Sequence, residues 1–133
     1  MKWTLLACVL GGGIGVPLLM IASTADLFGR VPALEGHVAA KASDVAVVDG
    51  QTLRLRDTVL RLAGVSVPQR GVTCTSRTGA VFDCGAEASR KLAALVQGQD
   101  VICRYDGRDK ASFLQGHCSA GDTDLNRAMI AEP

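Results

Sequence analysis

The amino-acid sequence predicts an α+β protein, a small five-stranded β-barrel with two or three short helices, preceded by one transmembrane helix. Short alternating segments, separated by turn residues, follow one another from residue 44 to residue 69. A helical pattern separates them from two further alternating segments. Before all of these, no charged residue occurs between Trp3 and Ala25. These observations divide the chain into an apolar N-terminal segment and one folded domain.

The segment Asp44–Gln69 is predicted to form a meander of three strands. Polar and apolar residues alternate within it, as they do in strands with one buried face. Asp49-Gly50 and Asp57-Thr58 are turn signals between the apolar runs. The three predicted strands are Asp44–Asp49, Gln51–Arg56 and Val59–Val65.

The rest of the domain is predicted to contain a helix, a hairpin and a second helix. Apolar residues at helical spacing are followed by Gly98, a residue typical of helix C-termini. The predicted elements are a helix at Gly85–Val96, strands at Gln99–Tyr105 and Phe113–Ser119, and a last helix capped by Thr123 or Asp124 and ending near Ala131. Five strands with helices after the third and the fifth is the pattern of an OB-fold.

The uncharged N-terminal segment is predicted to be a membrane anchor. Its twenty-three residues would span about 35 Å as a helix, which is enough to cross a hydrocarbon core of about 30 Å. The alternatives are a cleaved signal peptide ending at Ala25 and a lipoprotein signal ending at Cys8. The apolar run is longer than a usual signal core and continues well past Cys8. Ala7, Gly11 and Gly15 share one helix face and favour packing against another membrane helix.

We therefore expect a transmembrane helix at residues 1–25, a linker at residues 26–42 and the folded domain at residues 43–133. The linker prediction depends on Gly29, Pro32 and Gly36 and on the absence of a sustained period.

Four of the five cysteines lie in the domain and predict two disulfides. They are Cys74, Cys84, Cys103 and Cys118, and a bridge across the second predicted hairpin would join the last two. Free thiols and a zinc site are the alternatives, although no CxxC pair is present and the spacings differ from common zinc sites. Disulfides form in oxidising compartments. We therefore expect a bacterial inner-membrane protein with a cytoplasmic N-terminus and a periplasmic domain.

Charge and composition argue against a nucleic-acid partner. From Lys41 onward the chain has twelve Lys and Arg against eleven Asp and Glu, whereas phosphate binding calls for a basic excess. Aromatic residues are too few for a base-stacking platform.

From about Ser43 to Ala131, five short segments resemble the motifs of the staphylococcal nuclease-like (thermonuclease) family in order and spacing. They are Val48–Thr52, Leu60–Gln69, Gly85–Ser89, Asp109–Phe113 and Leu125–Ile130. The resemblance implies an OB-fold barrel. In active members it also implies calcium-dependent cleavage of phosphodiesters by metal-binding acids, a general-base glutamate and two arginines.

The resemblance also identifies positions at which this chain departs from the family. It places Gln51 and Ser66 at the metal-binding acids, Gln69 at the general base and Phe113 at the second arginine. Only the first arginine is retained, as Arg61. A shifted alignment would bring Arg108 to the second-arginine position, but it breaks the spacing to Cys118.

These departures remove the groups that the chemistry requires. Calcium binds anionic oxygens, an amide accepts no proton near neutral pH, and losing one electrostatic contributor commonly costs about 10²–10³ in rate. We therefore expect no catalytic residue, no metal and no cofactor. Arg61 is interpreted as paired with an acid such as Asp49, or as solvated.

Three functional hypotheses follow. The first is a non-catalytic accessory subunit whose N-terminal helix packs on integral membrane subunits of a larger inner-membrane complex, such as a respiratory or photosynthetic one. The second is a secreted or membrane-bound calcium-dependent nuclease with rearranged metal ligands. The third is an OB-fold module that binds a ligand on its barrel face.

Overall fold

Residues 35–131, the part of the chain that the computed structural model describes, form a mixed α and β fold in which a β-sheet predominates. This confirms the α+β prediction. The strands are β1 (Glu35–Ala40), β2 (Val45–Asp49), β3 (Thr52–Leu55), β4 (Thr58–Leu62), β5 (Thr73–Thr75), β6 (Val81–Asp83), β7 (Val101–Arg108), β8 (Leu114–Ala120) and β9 (Thr123–Asp124). The helices are α1 (Cys84–Val96) and α2 (Leu125–Ile130).

Strands β2, β3 and β4 form the predicted meander. Leu53 pairs with both Val47 on β2 and Leu60 on β4 in antiparallel register. At the turn between β3 and β4, Arg56 adopts a positive φ of 56°. Its N–H donates to the Asp44 carbonyl at 2.9 Å, a contact that fixes this turn against the start of β2.

The main sheet has the strand order β1-β7-β8-β4-β3-β2, with β9 paired to β8. Neighbouring strands are antiparallel except β4 and β8, which run parallel. A parallel pair needs a long connection, and here that connection contains β5, β6, α1 and β7. The two edge strands, β1 and β2, are consecutive in the chain and are joined through a single 3₁₀ turn at Ala42–Asp44.

Both α-helices begin at an aspartate cap. Asp83 accepts a hydrogen bond from the N–H of Ala86 at 2.8 Å, and Asp124 accepts one from the N–H of Arg127 at 3.0 Å. The N–H of Ala86, followed by that of Gly71, holds the pKa of Asp83 below its ordinary value. The prediction of Asp124 as a cap of the last helix is confirmed.

The core lies between the sheet and the helices. It is aliphatic and includes the sulfur atoms of one disulfide. Its most buried side chains are Leu53, Leu55, Leu60, Leu62, Leu92, Val101, Cys103 and Leu125. The leucines of β3 and β4 alternate with polar residues, so the period-two pattern of the sequence does identify the inward face.

Two disulfides are present, as predicted. Cys74–Cys84 joins the middle residue of β5 to the first residue of α1, and Cys103–Cys118 joins opposite residues of β7 and β8. The second bridge is in the core, whereas the first is at the surface. The Cys103–Cys118 bridge therefore links two strands of the main sheet, and the Cys74–Cys84 bridge links the small β5–β6 hairpin to α1.

The predicted linker at residues 26–42 needs correction for residues 35–40, which form β1 and pair with β7. The inward residues of β1 are Gly36, Val38 and Ala40, which are too small to give a strong apolar pattern. A Cβ at Gly36 would lie 2.5 Å from the hydroxyl of Tyr105, so a larger residue here would require this ring to shift. The loop predicted between the meander and α1 also contains the β5–β6 hairpin.

The predicted transmembrane helix and its small-residue face at Ala7, Gly11 and Gly15 lie outside the described residues, as does Cys8. Within residues 35–131, no helix is long and apolar enough to cross a membrane.

Candidate functional site

Arg61 is the centre of the candidate site, and the alternation of β4 determines where it points. Its neighbours Leu60 and Leu62 are buried in the core, so the Arg61 side chain projects from the opposite face of the sheet. Thr52 on β3 and Gln115 on β8 are its neighbours in the pairing. The side chain of Arg61 is only 24% exposed, so its guanidinium needs partners within the protein.

Asp109 supplies the charged partner. Its Oδ2 accepts a hydrogen bond from Nη1 of Arg61 at 2.8 Å, and the carboxylate is 14% exposed. Its Oδ1 accepts from the backbone N–H groups of Ala111 and Phe113, each at 2.9 Å. One carboxylate therefore organises the loop before β8 and neutralises Arg61.

Phe113 covers the guanidinium from another side. The Cζ atom of Arg61 lies 4.0 Å from the centroid of the Phe113 ring, a cation–π arrangement. Because β8 begins beside Leu60 in parallel register, the loop at residues 109–113 reaches Arg61. The guanidinium is thus held between a carboxylate and an aromatic ring.

Burial and hydrogen bonding shift the pKa of Asp109 in opposite directions. Burial tends to raise the pKa of this carboxyl, but the N–H of Phe113 and the guanidinium of Arg61 outweigh it and lower the pKa below its ordinary value. Asp109 is therefore ionised at neutral pH and stays a counterion rather than a proton donor.

Two polar atoms beside this ion pair have no hydrogen-bond partner within residues 35–131. They are Nε of Arg61 and Oγ1 of Thr52, both buried. Thr52 lies directly opposite Arg61 in the β3–β4 pairing. Nη1 of Arg61 is therefore paired with Asp109, whereas Nε of Arg61 has no hydrogen-bond partner within residues 35–131.

The two residues that the resemblance assigns to the metal-binding acids lack the ligands that calcium prefers. Gln51 lies in the turn after β2, where its N–H donates to Oδ1 of Asp49 and its carbonyl accepts from Leu62. Ser66 is exposed after the end of β4. Neither residue supplies an anionic oxygen, and residues 35–131 contain no group of three or more His, Cys, Asp or Glu that could hold a metal.

The residue that the resemblance assigns to the general base is an exposed glutamine, Gln69. The carbonyl of Gln69 accepts from the N–H of Val72 and lies so close to Gly85 that a Cβ there would be 1.9 Å from it. The backbone at Gln69 is thus packed on the start of α1. Its carboxamide side chain has no proton-accepting group suited to general-base catalysis.

The structure joins only two of the five residues that the resemblance identified. Arg61 and Phe113 are in contact, whereas the side chains of Gln51, Ser66 and Gln69 make no hydrogen bond to Arg61 within the described residues. The acid that pairs with Arg61 is Asp109, not Asp49. The sequence contained a signal for the turn that begins at Asp109, because an aspartate followed by polar and small residues often caps its own turn, but none for its contact with Arg61.

No protein-family model matches the chain. A search of curated proteins finds similarity to the succinoglycan biosynthesis protein ExoI of Rhizobium meliloti (strain 1021). The two sequences are 30% identical over 87 residues, which is 64% of this chain and 46% of the relative. The chain therefore spans about half the length of the curated relative that it matches.

Proposed function

We propose that this protein is a non-catalytic, single-span membrane protein whose nuclease-like domain acts as an accessory subunit of a larger inner-membrane complex. The proposal rests mainly on the contacts that the Arg61 side chain makes within the protein. The retained family arginine is bound by Asp109 at 2.8 Å and covered by Phe113 at 4.0 Å. A phosphate-binding arginine in a working nuclease has to be available to its substrate, and this one has two internal partners.

The absence of charge at the other positions that the resemblance identified supports the same conclusion. A nuclease of this type would need anionic ligands for calcium and a carboxylate base, and Gln51, Ser66 and Gln69 supply neither. Several electrostatic contributors are therefore missing together, and each is commonly worth about 10²–10³ in rate. No metal and no cofactor enter the proposed function.

The fold that we propose for the domain is the five-stranded OB barrel of the staphylococcal nuclease-like family. The strand order supports it, because the two edge strands β1 and β2 are consecutive and are joined by one 3₁₀ turn. In this interpretation β1 and β2 are two halves of one bent strand. That strand and β3, β4, β7 and β8 then make up the five strands of the barrel.

The proposed location is the bacterial inner membrane, with the N-terminus in the cytoplasm and the domain in the periplasm. The two disulfides support an oxidising compartment for the domain. The uncharged segment between Trp3 and Ala25 is proposed as the anchor, and Ala7, Gly11 and Gly15 as the face that contacts a helix of the partner.

Native electrophoresis of gently solubilised membranes tests the accessory role. The full chain is expected to migrate with a large complex, and Gly11→Leu with Gly15→Leu is expected to release it while it stays in the membrane. Migration of the native chain only as a free monomer would contradict the proposal. Mass spectrometry of the complex then identifies the partner. Enzymes of succinoglycan biosynthesis as partners would agree with the name of the curated relative. Respiratory or photosynthetic subunits would agree with the examples given for the accessory-subunit hypothesis.

A nuclease assay tests the loss of catalysis independently. The purified chain is incubated with DNA and RNA, with calcium or with a chelator, and no cleavage is expected. Cleavage that is abolished both by the chelator and by Arg61→Ala would overturn the proposal in favour of a working nuclease. Salt-dependent binding of oligonucleotides without cleavage would instead favour a ligand-binding module.

A further inference from the structure

The β5–β6 hairpin exposes apolar side chains beside a disulfide. Six large apolar residues are exposed within residues 35–131, and three of them, Val72, Val81 and Phe82, belong to this hairpin and its base. Cys74 lies opposite Phe82, and the N–H of Cys84 donates to the carbonyl of Val72. Val72, Phe82 and the disulfide therefore share one face of the hairpin, which we call the apolar hairpin face.

The charges near this face are mainly positive. Between residues 70 and 84 the charged residues are Arg70, Arg77 and Asp83. The carboxylate of Asp83 accepts hydrogen bonds from the N–H groups of Gly71 and Ala86. Neither arginine forms an ion pair within residues 35–131. The hairpin thus combines exposed apolar side chains with the cation of Arg77. Arg70 lies just before the hairpin, where its Nε donates to Oγ of Ser89 at 3.2 Å. Such a combination suits a surface that carries phosphates above an apolar layer.

A short distance along the chain separates this domain from the proposed anchor. Nine residues, 26–34, lie between Ala25 and the first residue of β1. Fully extended, they reach at most about 30 Å. If Trp3–Ala25 crosses the membrane, the bilayer surface is therefore within reach of the domain.

We propose that the apolar hairpin face lies in the headgroup region of the membrane, with Val72 and Phe82 at the boundary of the acyl chains and Arg70 and Arg77 beside anionic lipid phosphates. This inference rests on the proposed anchor. We choose lipid over a protein partner because the face combines few exposed apolar side chains with nearby cations, on a domain that the proposed anchor would tether to the bilayer. Beside an anchor, a few apolar side chains and two cations suffice to orient a domain.

The Cys74–Cys84 disulfide stabilises the hairpin that carries the apolar hairpin face. A two-stranded hairpin is marginally stable on its own, and this one pairs only three residues of each strand. The bridge between Cys74 and Cys84 and the cap at Asp83 fix its base to α1. The bridge and the cap thus tie the base of the hairpin to α1, while Val72 and Phe82 stay exposed.

Tryptophan quenching by brominated lipids tests the proposal on the full chain in nanodiscs of phosphatidylcholine and phosphatidylglycerol. Trp3 is the only tryptophan, so Trp3→Phe gives a background without one. Phe82→Trp and, separately, Val72→Trp are added to it. Ile130→Trp is the matched control, because Ile130 is 58% exposed on α2 and Phe82 is 40% exposed. Non-reducing peptide mapping confirms both disulfides in each variant.

Residues at a depth of about 5–10 Å are within reach of bromines on the upper acyl chain. The tryptophans introduced at positions 82 and 72 are expected to lose about half of their emission in brominated lipid, and the one at position 130 almost none. Arg70→Gln with Arg77→Gln is expected to reduce the quenching at position 82 when the discs contain phosphatidylglycerol.

The native chain reports the anchor separately through Trp3. Quenching of Trp3 together with unquenched tryptophans at 82 and 72 would overturn the hairpin proposal and leave the anchor intact. A cross-link from position 82 to a protein in native membranes, without quenching in discs, would replace lipid by a protein partner. If Trp3 is also unquenched, both the anchor and the hairpin contact are wrong.

Discussion

Two polar side chains join distant parts of this fold, and their hydrogen bonds differ in kind. Asn126 on α2 is buried, and its Oδ1 accepts from the N–H of Cys118 at 2.9 Å. Its Nδ2 donates to the carbonyls of Ala63 and Gly116 at 2.8 Å and 3.0 Å. Every partner of Asn126 is backbone, so this residue serves only the architecture.

Arg61, in contrast, is held by two side chains of the loop before β8. Asp109 binds one of its nitrogens, Phe113 covers its plane, and its Nε has no partner within the described residues. The side chain of Asn126 therefore uses both its oxygen and its nitrogen in contacts with the backbone, whereas Arg61 has one ion pair and one nitrogen without a partner within residues 35–131. Removing a buried group whose hydrogen bonds are all made is expected to cost more stability.

The largest predicted effect is on Asn126. Asn126→Ala removes three hydrogen bonds and leaves buried backbone groups unpaired, so the free energy of unfolding should fall by about 3 kcal/mol. Urea unfolding of the full chain in mild detergent, followed by circular dichroism, measures this loss. Asn126→Asp keeps the acceptor but removes the two donors, and it should be nearly as destabilising.

Arg127→Ala is the matched control on the same helix. The Arg127 side chain is exposed and makes no hydrogen bond within the described residues, so its removal should change stability by less than about 0.5 kcal/mol. Equal effects at positions 126 and 127 would show that the Asn126 cluster does not hold α2 to the sheet.

Phe113 should have an intermediate effect. Phe113→Ala removes a half-buried ring and its contact with Arg61, and it should lower the free energy of unfolding by about 1–2 kcal/mol. Phe113→Leu keeps most of the apolar contact and should lose only the cation–π share, about 0.5–1 kcal/mol. A leucine variant as stable as the native chain would show that the ring serves packing alone.

The sequence predicted most of the fold because the strands and helices obey local rules. The leucines of β3 and β4 alternate with polar residues, and Asp124 begins α2, as their sequence patterns indicate. β1 could not be predicted in this way, because its inward positions are Gly36, Val38 and Ala40. Its pairing with β7 depends on a partner about sixty-five residues away.

The sequence was enough to predict which side chains of the candidate site are uncharged, but not which side chains are in contact. Residue types alone showed that Gln51, Ser66 and Gln69 carry no charge. The pairing of Arg61 with Asp109 depends instead on the parallel register of β4 and β8, which carries the loop before β8 to the arginine. A register between strands so far apart in the chain is set by tertiary packing and not by a local motif.

The smallest predicted effect concerns pH. The pKa of Asp109 lies below its ordinary value of 3.8, since the hydrogen bonds from Phe113 and Arg61 outweigh the opposing effect of burial. A lowered pKa in the folded state means that the contribution of Asp109 to stability is fully present above the unfolded pKa of about 3.9. It is lost as the pH falls through the folded pKa. The difference in stability between the native chain and Asp109→Asn should therefore be constant from pH 5 to 7 and should narrow below about pH 4.

Lys41 and Asp100 provide a second ion pair for comparison, because the pKa of Asp100 is also lowered, first by its hydrogen bond from Lys41. Their side chains are 79% and 53% exposed, against 24% and 14% for Arg61 and Asp109. Salt screens exposed pairs far more than buried ones. In 1 M NaCl, Asp100→Asn should lose the share of its effect that comes from Lys41 and keep only the share from the backbone N–H of Ala42. Asp109→Asn should keep most of its effect, because its less exposed carboxylate holds two backbone N–H groups, those of Ala111 and Phe113. If salt removed both effects equally, the Asp109 contact would be an ordinary surface pair, and Arg61 would be open to an anionic ligand after all.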